Sequence, residues 1–329
     1  MKRSSTLQAI GPAQEENIDN HIKTFIDVFK ADNDKPLELL SPVEARALLT
    51  LAQGSVDVDL SGVVVTGKTI RQGGQSIKID LVKPVNAKDA LPVFMFFHGG
   101  GWELGDFPTH ERLVRDLVVG SGAAAIVVYY TPSPEAHYPV AVNQAYTATK
   151  WVAAHGDEIG VDGKRLAVVG NSVGGNMAAV VALMARDKNG PKIKLQVLLW
   201  PVTDANFDNE SYLKFATGFF LSRSAMIWFW DNYTMDLNER REIYASPLRA
   251  TLEQLKDLPD TLIQTAGYDV LRDEGEAYAH KLYKAGVKVT AIRYTGMIHD
   301  WGLLNPLATL PGTRSALSRA AAEIKKALE

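Results

Sequence analysis

The chain has 329 residues, of which 46% are hydrophobic and 22% charged, with a formal net charge of −3 and no cysteine. This composition is typical of a globular protein with a large core, and it gives no reason to expect nucleic acid or an anionic membrane as a partner. The absence of cysteine excludes disulfides, thiolate nucleophiles and cysteine metal sites. No apolar run has the length of a signal peptide or a membrane span, so we expect a cytoplasmic protein.

Two helices are predicted near the N-terminus. Apolar residues recur at helical spacing from Ile18 to Phe29. A second helix is predicted to begin at Ser41-Pro42-Val43-Glu44, where Ser41 and Glu44 can form a capping box and Pro42 suits the first helical position. Gly54 is its expected end. The apolar residues of this helix are Val43, Ala47, Leu48 and Leu51.

The pattern then changes to strands. Residues 61–71 and 75–83 are rich in Val, Ile and Thr and flank a Gln-Gly-Gly turn, which predicts an antiparallel hairpin. From residue 92 onward, short apolar strands alternate with helices, which indicates a mostly parallel sheet with helices on both faces. The predicted strands are 93–97, 123–130, 166–169, 195–199, 261–265 and 287–294, and the helices include 140–155, 173–186 and 274–285.

Residues 204–245 interrupt this alternation. The segment is longer than a typical connection and is rich in aromatic side chains. We predict that it forms a cap together with the N-terminal helices, and the alternative is an extra pair of core helices. The expected organisation is therefore a cap contribution from residues 1–55, an α/β domain of residues 56–203 and 246–329, and a cap insertion of residues 204–245.

The segment 170–175, Gly-Asn-Ser-Val-Gly-Gly, follows a predicted strand and begins a predicted helix. This G-x-S-x-G context is typical of a nucleophile elbow, in which a serine lies on a strained turn that requires small neighbours. The helix N-terminus favours negative charge that develops there. We therefore predict Ser172 as a nucleophile. The alternative is a glycine-rich turn with an incidental serine.

A second glycine-rich segment, His98-Gly99-Gly100-Gly101-Trp102, follows the first parallel strand. Acyl transfer passes through an oxyanion, which requires backbone N–H donors that are already in place. Consecutive glycines let the main chain approach a substrate without obstruction by side chains. Taken alone, three glycines could form only a flexible loop, but upstream of a nucleophile elbow they indicate an oxyanion hole.

A serine nucleophile needs a base and an orienting acid, which in this fold follow in the order Ser, Asp or Glu, His. We predict His299 as the base, because it follows the last strand, whereas His280 lies within a predicted helix. We predict Asp269 as the acid, because it follows a strand at the carboxyl end of the sheet. Asp300 adjoins the histidine, and we do not expect it to fold back onto the ring. The remaining rivals are Asp204, which starts the cap, and Asp273 and Glu274, which begin a helix.

Together these motifs resemble the hormone-sensitive-lipase-like family of α/β hydrolases. The family carries H-G-G-G-[WF], Y-R-x-A-P-E, G-D-S-A-G-G, D-x-L-x-D-E and a late H-G-F. The corresponding segments here are 98–102, 130–135, 170–175, 269–274 and 299–301, in the same order.

The resemblance implies an α/β-hydrolase fold and a carboxylesterase. Its triad would be Ser172, Asp269 and His299, and the N–H groups of Gly100, Gly101 and Val173 would form the oxyanion hole. The implied substrates are short- to medium-chain acyl esters, cleaved through an acyl-enzyme, with no metal and no cofactor. Dimers are common among similar proteins, so a homodimer is one expected state. We expect the substrate pocket to be lined by Trp102, Phe219 and Trp228.

The chain departs from the family motifs at several positions, which bear on substrate preference rather than on the triad. Asn171 replaces the acidic residue of the elbow, Val173 replaces alanine, and Asp300-Trp301 replaces Gly-Phe. Thr131 and Ser133 replace the arginine and alanine of the second motif. A peptidase or amidase on the same fold is one alternative. A ligand-binding receptor is another, but it would require a lost base, and His299 is present.

Overall fold

The computed structural model describes residues 18–31, 35–87 and 90–329, so residues 1–17 and 32–34 of the expected cap segment 1–55 lie outside the described residues. The described residues form eight strands and nine helices. The strands are β1 (Val63–Gln72), β2 (Gln75–Pro84), β3 (Leu91–Phe97), β4 (Ala124–Tyr129), β5 (Val161–Asn171), β6 (Leu195–Leu199), β7 (Asp260–Tyr268) and β8 (Val289–Ile298). The helices are α1 (Asn20–Ala31), α2 (Pro42–Gly54), α3 (Phe107–Ser121), α4 (Val140–His155), α5 (Val173–Asp187), α6 (Glu210–Lys214), α7 (Arg223–Tyr233), α8 (Arg272–Lys284) and α9 (Pro311–Leu328).

All eight strands form one sheet in the order β1-β2-β4-β3-β5-β6-β7-β8. The β1–β2 and β2–β4 pairs are antiparallel, and the remaining pairs are parallel. The predicted hairpin is present, with Gly73 and Gly74 both at positive φ in its two-residue turn. The prediction of an α/β-hydrolase fold with a mostly parallel sheet is confirmed.

Burial along the central strands shows how the sheet is covered. Val93 to Phe97 of β3 are all fully buried, although successive side chains point to opposite faces of a sheet. Both faces must therefore be packed against other elements, as in other parallel sheets. Helices α3 and α9 pack together, and α4 packs on α5. The carboxyl ends of β3, β5, β6 and β7 lie side by side, and this edge of the sheet carries the candidate site.

Helix α2 begins as its sequence predicts but buries a different face from the one its large apolar residues suggest. The capping box is formed, with Glu44 N 3.3 Å from Ser41 Oγ and Ser41 N 2.9 Å from a Glu44 carboxylate oxygen. Val43 and Leu51 are 75% and 69% exposed, whereas Leu49 is buried. The helix therefore turns Leu48, Leu49 and smaller side chains such as Ala45 toward the protein.

The insertion between β6 and β7 contains α6 and α7. Its aromatic side chains are largely buried, and Tyr212, Trp230 and Tyr233 are 1% exposed or less. In the part of the chain that is described, no helix has both the length and the apolar character needed to cross a bilayer.

Candidate active site

Ser172 is the single residue between the end of β5 and the start of α5. Its backbone lies at φ 54° and ψ −121°, a conformation that side-chain-bearing residues rarely adopt. Its N–H donates to the carbonyl of Leu199 at 2.9 Å, and its carbonyl accepts from the N–H of Val202 at 3.1 Å. Neighbouring backbone thus holds the strained residue in place.

The glycines on either side of Ser172 are required by close backbone packing. A Cβ at Gly170 would lie 2.1 Å from the carbonyl oxygen of Gly174, and a Cβ at Gly174 would lie 1.9 Å from that of Phe97. No side chain fits at such distances. The sequence pattern therefore reflects a steric requirement, and the geometry is that of a nucleophile elbow.

The structure brings Ser172, His299 and Asp269 together. His299 Nε2 lies 3.0 Å from Ser172 Oγ, and His299 Nδ1 lies 2.8 Å from Asp269 Oδ2. Because a carboxylate only accepts hydrogen bonds, we infer that Nδ1 carries the proton and that Nε2 is free to accept from the serine hydroxyl. The other Asp269 oxygen accepts from the N–H of Leu271 at 3.0 Å, which fixes the carboxylate.

All three side chains are buried, and burial alone would lower the pKa of His299. The carboxylates of Asp269 and Asp300 oppose this effect, with a further contribution from the hydrogen bond to Asp269, and the net shift of the His299 pKa is upward. The two negative charges therefore stabilise the imidazolium that would form when the histidine accepts a proton.

The position of Asp300 differs from the expectation that it would stay away from the ring. Its Oδ2 lies 3.7 Å from Nε2 of His299, on the side that faces Ser172. Its Oδ1 accepts hydrogen bonds from Trp200 Nε1 at 2.6 Å and Asn171 Nδ2 at 3.1 Å. Asp300 has a left-handed backbone, φ 58°, which turns its side chain back toward the histidine.

The rival carboxylates have other partners. Glu274 is buried and accepts from the N–H groups of Thr203 and Asp204, and burial raises its pKa well above the usual value. Its predicted role as a charge at a helix N-terminus is thus incomplete, because it also ties the start of the insertion to α8. Asp273 accepts from the Ser211 N–H, and Asp204 pairs with an arginine.

The glycine loop after β3 faces Ser172 across a cavity. Gly100 and Gly101 have φ values of 105° and 65°, and both line the cavity together with Ser172. A Cβ at Gly100 would lie 2.3 Å from the carbonyl oxygen of Leu104, and one at Gly101 would lie 2.0 Å from the ring of Phe229. Val173 is the first residue of α5, so its N–H has no acceptor within the helix.

His98, the first residue of this loop, is a structural histidine. Its Nδ1 lies 2.9 Å from the Gly99 carbonyl and 3.1 Å from the Tyr130 hydroxyl, which also donates to the His98 carbonyl at 3.0 Å. Burial lowers the His98 pKa to about 4, so the ring is neutral near pH 7. The sequence analysis identified the glycines of this loop, but it did not predict the contact between His98 of segment 98–102 and Tyr130 of segment 130–135.

The cavity has a volume of about 470 Å³, within the usual range for small-molecule sites. Besides the loop, Ser172, His299 and Asp300, its walls are mainly apolar. They come from α1, α2 and the insertion, and include Ile26, Phe29, Leu48, Leu49, Phe220 and Phe229.

The three side chains expected in the pocket do not line this cavity. Trp102 is fully buried and stacks on Tyr233, with ring centroids 3.9 Å apart. Phe219 packs on Tyr268, and Trp228 packs beside Phe229. The expectation was wrong because the packing of a segment decides which of its aromatic residues faces a cavity, and this packing cannot be read from the sequence.

Arg46 of α2 forms a contact that sequence reasoning missed. Its Nε donates to the carbonyl of Glu103 at 2.8 Å, and its Nη2 donates to that of Ser133 at 3.0 Å. The guanidinium also makes two 2.7 Å hydrogen bonds to the Glu135 carboxylate. This arginine thus fastens α2 to the segment that follows the glycine loop. Glu135, the last residue of the segment 130–135, was the feature of the sequence that could have indicated this contact.

Comparisons with known proteins show which family the chain resembles. A family described as having the alpha/beta hydrolase fold matches residues 94–303. A putative α/β hydrolase of Acanthamoeba polyphaga mimivirus is 38% identical over 94% of this chain and 88% of its own length. Carboxylesterase NlhH of Mycobacterium tuberculosis is 35% identical over 78% of this chain and 80% of its own length.

A solved structure extends the similarity to nearly the whole chain. A thermostable esterase from Pseudomonas putida is 63% identical, with a TM-score of 0.94, and the match covers 95% of this chain and 98% of that one. The family match spans more than half of the chain and contains the elbow, the glycine loop and the late histidine. The chain therefore belongs to the hormone-sensitive-lipase-like family of α/β hydrolases.

Proposed function

We propose that this chain is a serine carboxylesterase. The observation that carries the proposal is the continuous path from Asp269 through His299 to Ser172, with separations of 2.8 and 3.0 Å, at the wall of an apolar cavity. Relatives that carry the names carboxylesterase and esterase support the same activity.

In the proposed reaction, His299 takes the hydroxyl proton of Ser172 as its Oγ attacks the ester carbonyl. The tetrahedral intermediate collapses when His299 returns this proton to the departing alcohol, and an acyl-enzyme remains on Ser172. Water, activated by His299, then releases the acid and restores the serine. Asp269 keeps Nδ1 protonated throughout, so that Nε2 always points at the reacting oxygen.

The oxyanion would be held by the backbone N–H groups of Gly100, Gly101 and Val173. The first two lie on the loop that lines the cavity beside Ser172, and the third begins α5. The N-terminus of α5 adds a favourable electrostatic field at the same place. Loss of one such donor typically raises the barrier by about 2.7–4 kcal/mol.

The substrates we propose are short- to medium-chain acyl esters. The cavity of about 470 Å³ has mainly apolar walls, to which the N-terminal helices and the insertion contribute, and we propose that these segments act as a cap. Such walls stabilise alkyl chains by roughly 0.8 kcal/mol for each buried methylene. Chain length should therefore affect KM until the cavity is full.

A series of p-nitrophenyl esters from acetate to decanoate tests this proposal. Wild type should cleave the shorter members, and Ser172→Ala should reduce kcat by about 10⁴-fold or more. Ser318→Ala, an exposed serine on α9, is the matched control and should keep full activity. If wild type cleaves no member of the series, the esterase proposal fails. Activity on matching p-nitroanilides but not on the esters would indicate an amidase.

A further inference from the structure

The side chain of Asn171, directly before the nucleophile, connects two loops of the site. Its Oδ1 accepts from the N–H of Gly99 at 3.0 Å, and its Nδ2 donates to Asp300 Oδ1 at 3.1 Å. The side chain is fully buried. A Cβ at Gly99 would lie 2.5 Å from Asn171 Nδ2, so the glycine loop rests directly on the amide.

The second partner, Asp300, has its two carboxylate oxygens in different roles. Oδ1 receives hydrogen bonds from both Asn171 and Trp200. These bonds orient the group so that Oδ2 lies 3.7 Å from Nε2 of His299, the nitrogen that contacts Ser172. Asp300 also lines the cavity with His299 and Ser172.

These contacts allow a carboxylate at position 171 or at position 300, but not at both. An amide at position 171 can offer an acceptor to Gly99 and a donor to Asp300 at the same time. An aspartate at position 171 could still accept from Gly99, but its second oxygen would face the Asp300 carboxylate, and two buried like charges repel. Positions 171 and 300 are also two of the positions at which the chain departs from the family motifs.

We propose that Asn171 and Asp300 form one positioning unit. The Asn171 amide holds the glycine loop and the Asp300 carboxylate in place by hydrogen bonds, and Asp300 supplies the negative charge that is missing at position 171. The inference deepens the proposed esterase function and rests on it. Neither residue needs to contact the substrate for this role. The unit joins the loop that carries the oxyanion donors to the loop that carries the base.

The charge of Asp300 has a consequence for pH. The charged groups that face His299 are Asp269 at Nδ1 and Asp300 at Nε2. Both raise the pKa of the imidazole, and a protonated imidazole cannot act as a base. Activity is therefore lost as the pH falls through this raised pKa. Removal of the Asp300 charge should move the loss to lower pH.

Asp300→Asn tests this consequence, because asparagine keeps an oxygen for Asn171 and Trp200 and tolerates the left-handed backbone. The acid limb of kcat/KM for p-nitrophenyl butyrate should shift down by about one pH unit. Asp260→Asn, which removes a charge paired with Lys288 at the start of β7, should leave the limb in place. An unshifted limb in Asp300→Asn would overturn the electrostatic part of the proposal.

The coupling between the two residues is tested by substituting each residue alone and then both together. Asn171→Asp should lower the melting temperature by about 4 °C, because it places two buried carboxylates side by side. Asp300→Gly should lower it by about the same amount, because it leaves the buried donors of Asn171 and Trp200 without an acceptor. The double variant has a single carboxylate and so removes the repulsion, and its loss should be clearly smaller than the sum of the two single losses, although Trp200 still lacks its acceptor. It should also recover most of the loss in kcat/KM, about tenfold or more for each single variant. Effects that simply add in the double variant would show that the residues do not act as a unit.

This design separates failure of the inference from failure of the proposed function. The melting temperatures require no turnover, so they report on the unit even if wild type cleaves none of the esters. If wild type is active but the double variant shows no recovery in melting temperature or in kcat/KM, the esterase proposal stands and the positioning unit is wrong.

Discussion

Ser172, His299 and Asp269 are placed by backbone geometry that only a few residue types allow. The serine lies at φ 54°, between Gly170 and Gly174. A Cβ added at either glycine would lie less than 2.2 Å from a backbone oxygen. The residue types at these positions could be predicted from sequence, because the steric requirement is local. The approach of Asp300 to the histidine could not, because it depends on one left-handed residue and on two partners far away in the chain.

Asp269→Asn should lower kcat by about 10⁴-fold with little change in KM, because the amide can donate to Nδ1 and so favours the wrong imidazole tautomer. Steady-state kinetics on p-nitrophenyl butyrate measure the effect. Asp273→Asn, four residues further along the same segment, is the matched control and should keep most of the activity. A normal rate in Asp269→Asn would move the orienting role to another carboxylate.

The wild-type pH profile should show an acid limb above the ordinary histidine value of 6.5, since the pKa of His299 is raised. In the proposed mechanism, Nε2 must be unprotonated to accept the serine proton. kcat/KM should therefore be low at acidic pH and should rise through the raised pKa to a plateau. Full activity well below pH 6.5 would contradict the role of the two carboxylates.

Gly101→Ala should abolish most activity. Its φ of 65° disfavours a side chain, and the added Cβ would meet the Phe229 ring at 2.0 Å. The loop would have to move, and its N–H donors would move with it, so kcat should fall by about 100-fold or more. Gly286→Ala, at a positive φ but in open space, is the control for backbone strain alone. Equal loss in both variants would contradict a special role for the loop.

At the scale of elements, hydrophobic periodicity predicted all eight strands and the helices α1, α2, α4, α5 and α8, but it did not identify α3, α6, α7 or α9. It was less informative about which face each element turns inward. In α2, Val43 and Leu51 are exposed, and the smaller Ala45 is buried beside Leu49. The same limit explains the pocket, where Phe229 lines the cavity and its neighbour Trp228 does not. These choices are made by tertiary packing, which a single sequence does not show.

Arg46→Ala should weaken the attachment of α2 to the segment after the glycine loop. The Arg46–Glu135 pair is partly exposed and should contribute little by itself, but the two bonds to backbone carbonyls are lost as well. Because Leu49 of α2 lines the cavity, we expect KM to rise several-fold, by about three- to tenfold, with a smaller change in kcat.

Arg319→Ala, which breaks an exposed pair with Glu323 on α9, is the matched control for Arg46→Ala. Arg46→Lys should resemble Arg46→Ala, because lysine lacks the planar fork that reaches three acceptors at once. An unchanged KM in both Arg46 variants would show that α2 does not depend on this contact to shape the cavity.

At the scale of the whole molecule, the site is built from segments that lie far apart in the chain. The glycine loop follows β3, Ser172 follows β5, Asp269 follows β7 and His299 follows β8, so these residues meet at one edge of the sheet. This convergence follows from the parallel topology, which the alternation of strands and helices predicted. The volume and the lining of the cavity depend on how the N-terminal helices and the insertion pack around it, and this could not be predicted from the sequence.

The central claim is that Ser172 is acylated during ester hydrolysis. Brief reaction with p-nitrophenyl butyrate followed by acid quench and mass spectrometry tests it directly. We expect a butyryl group on the peptide that contains Ser172 in wild type, and none in Ser172→Ala. A butyryl group on a different residue, or rapid turnover in Ser172→Ala, would contradict it.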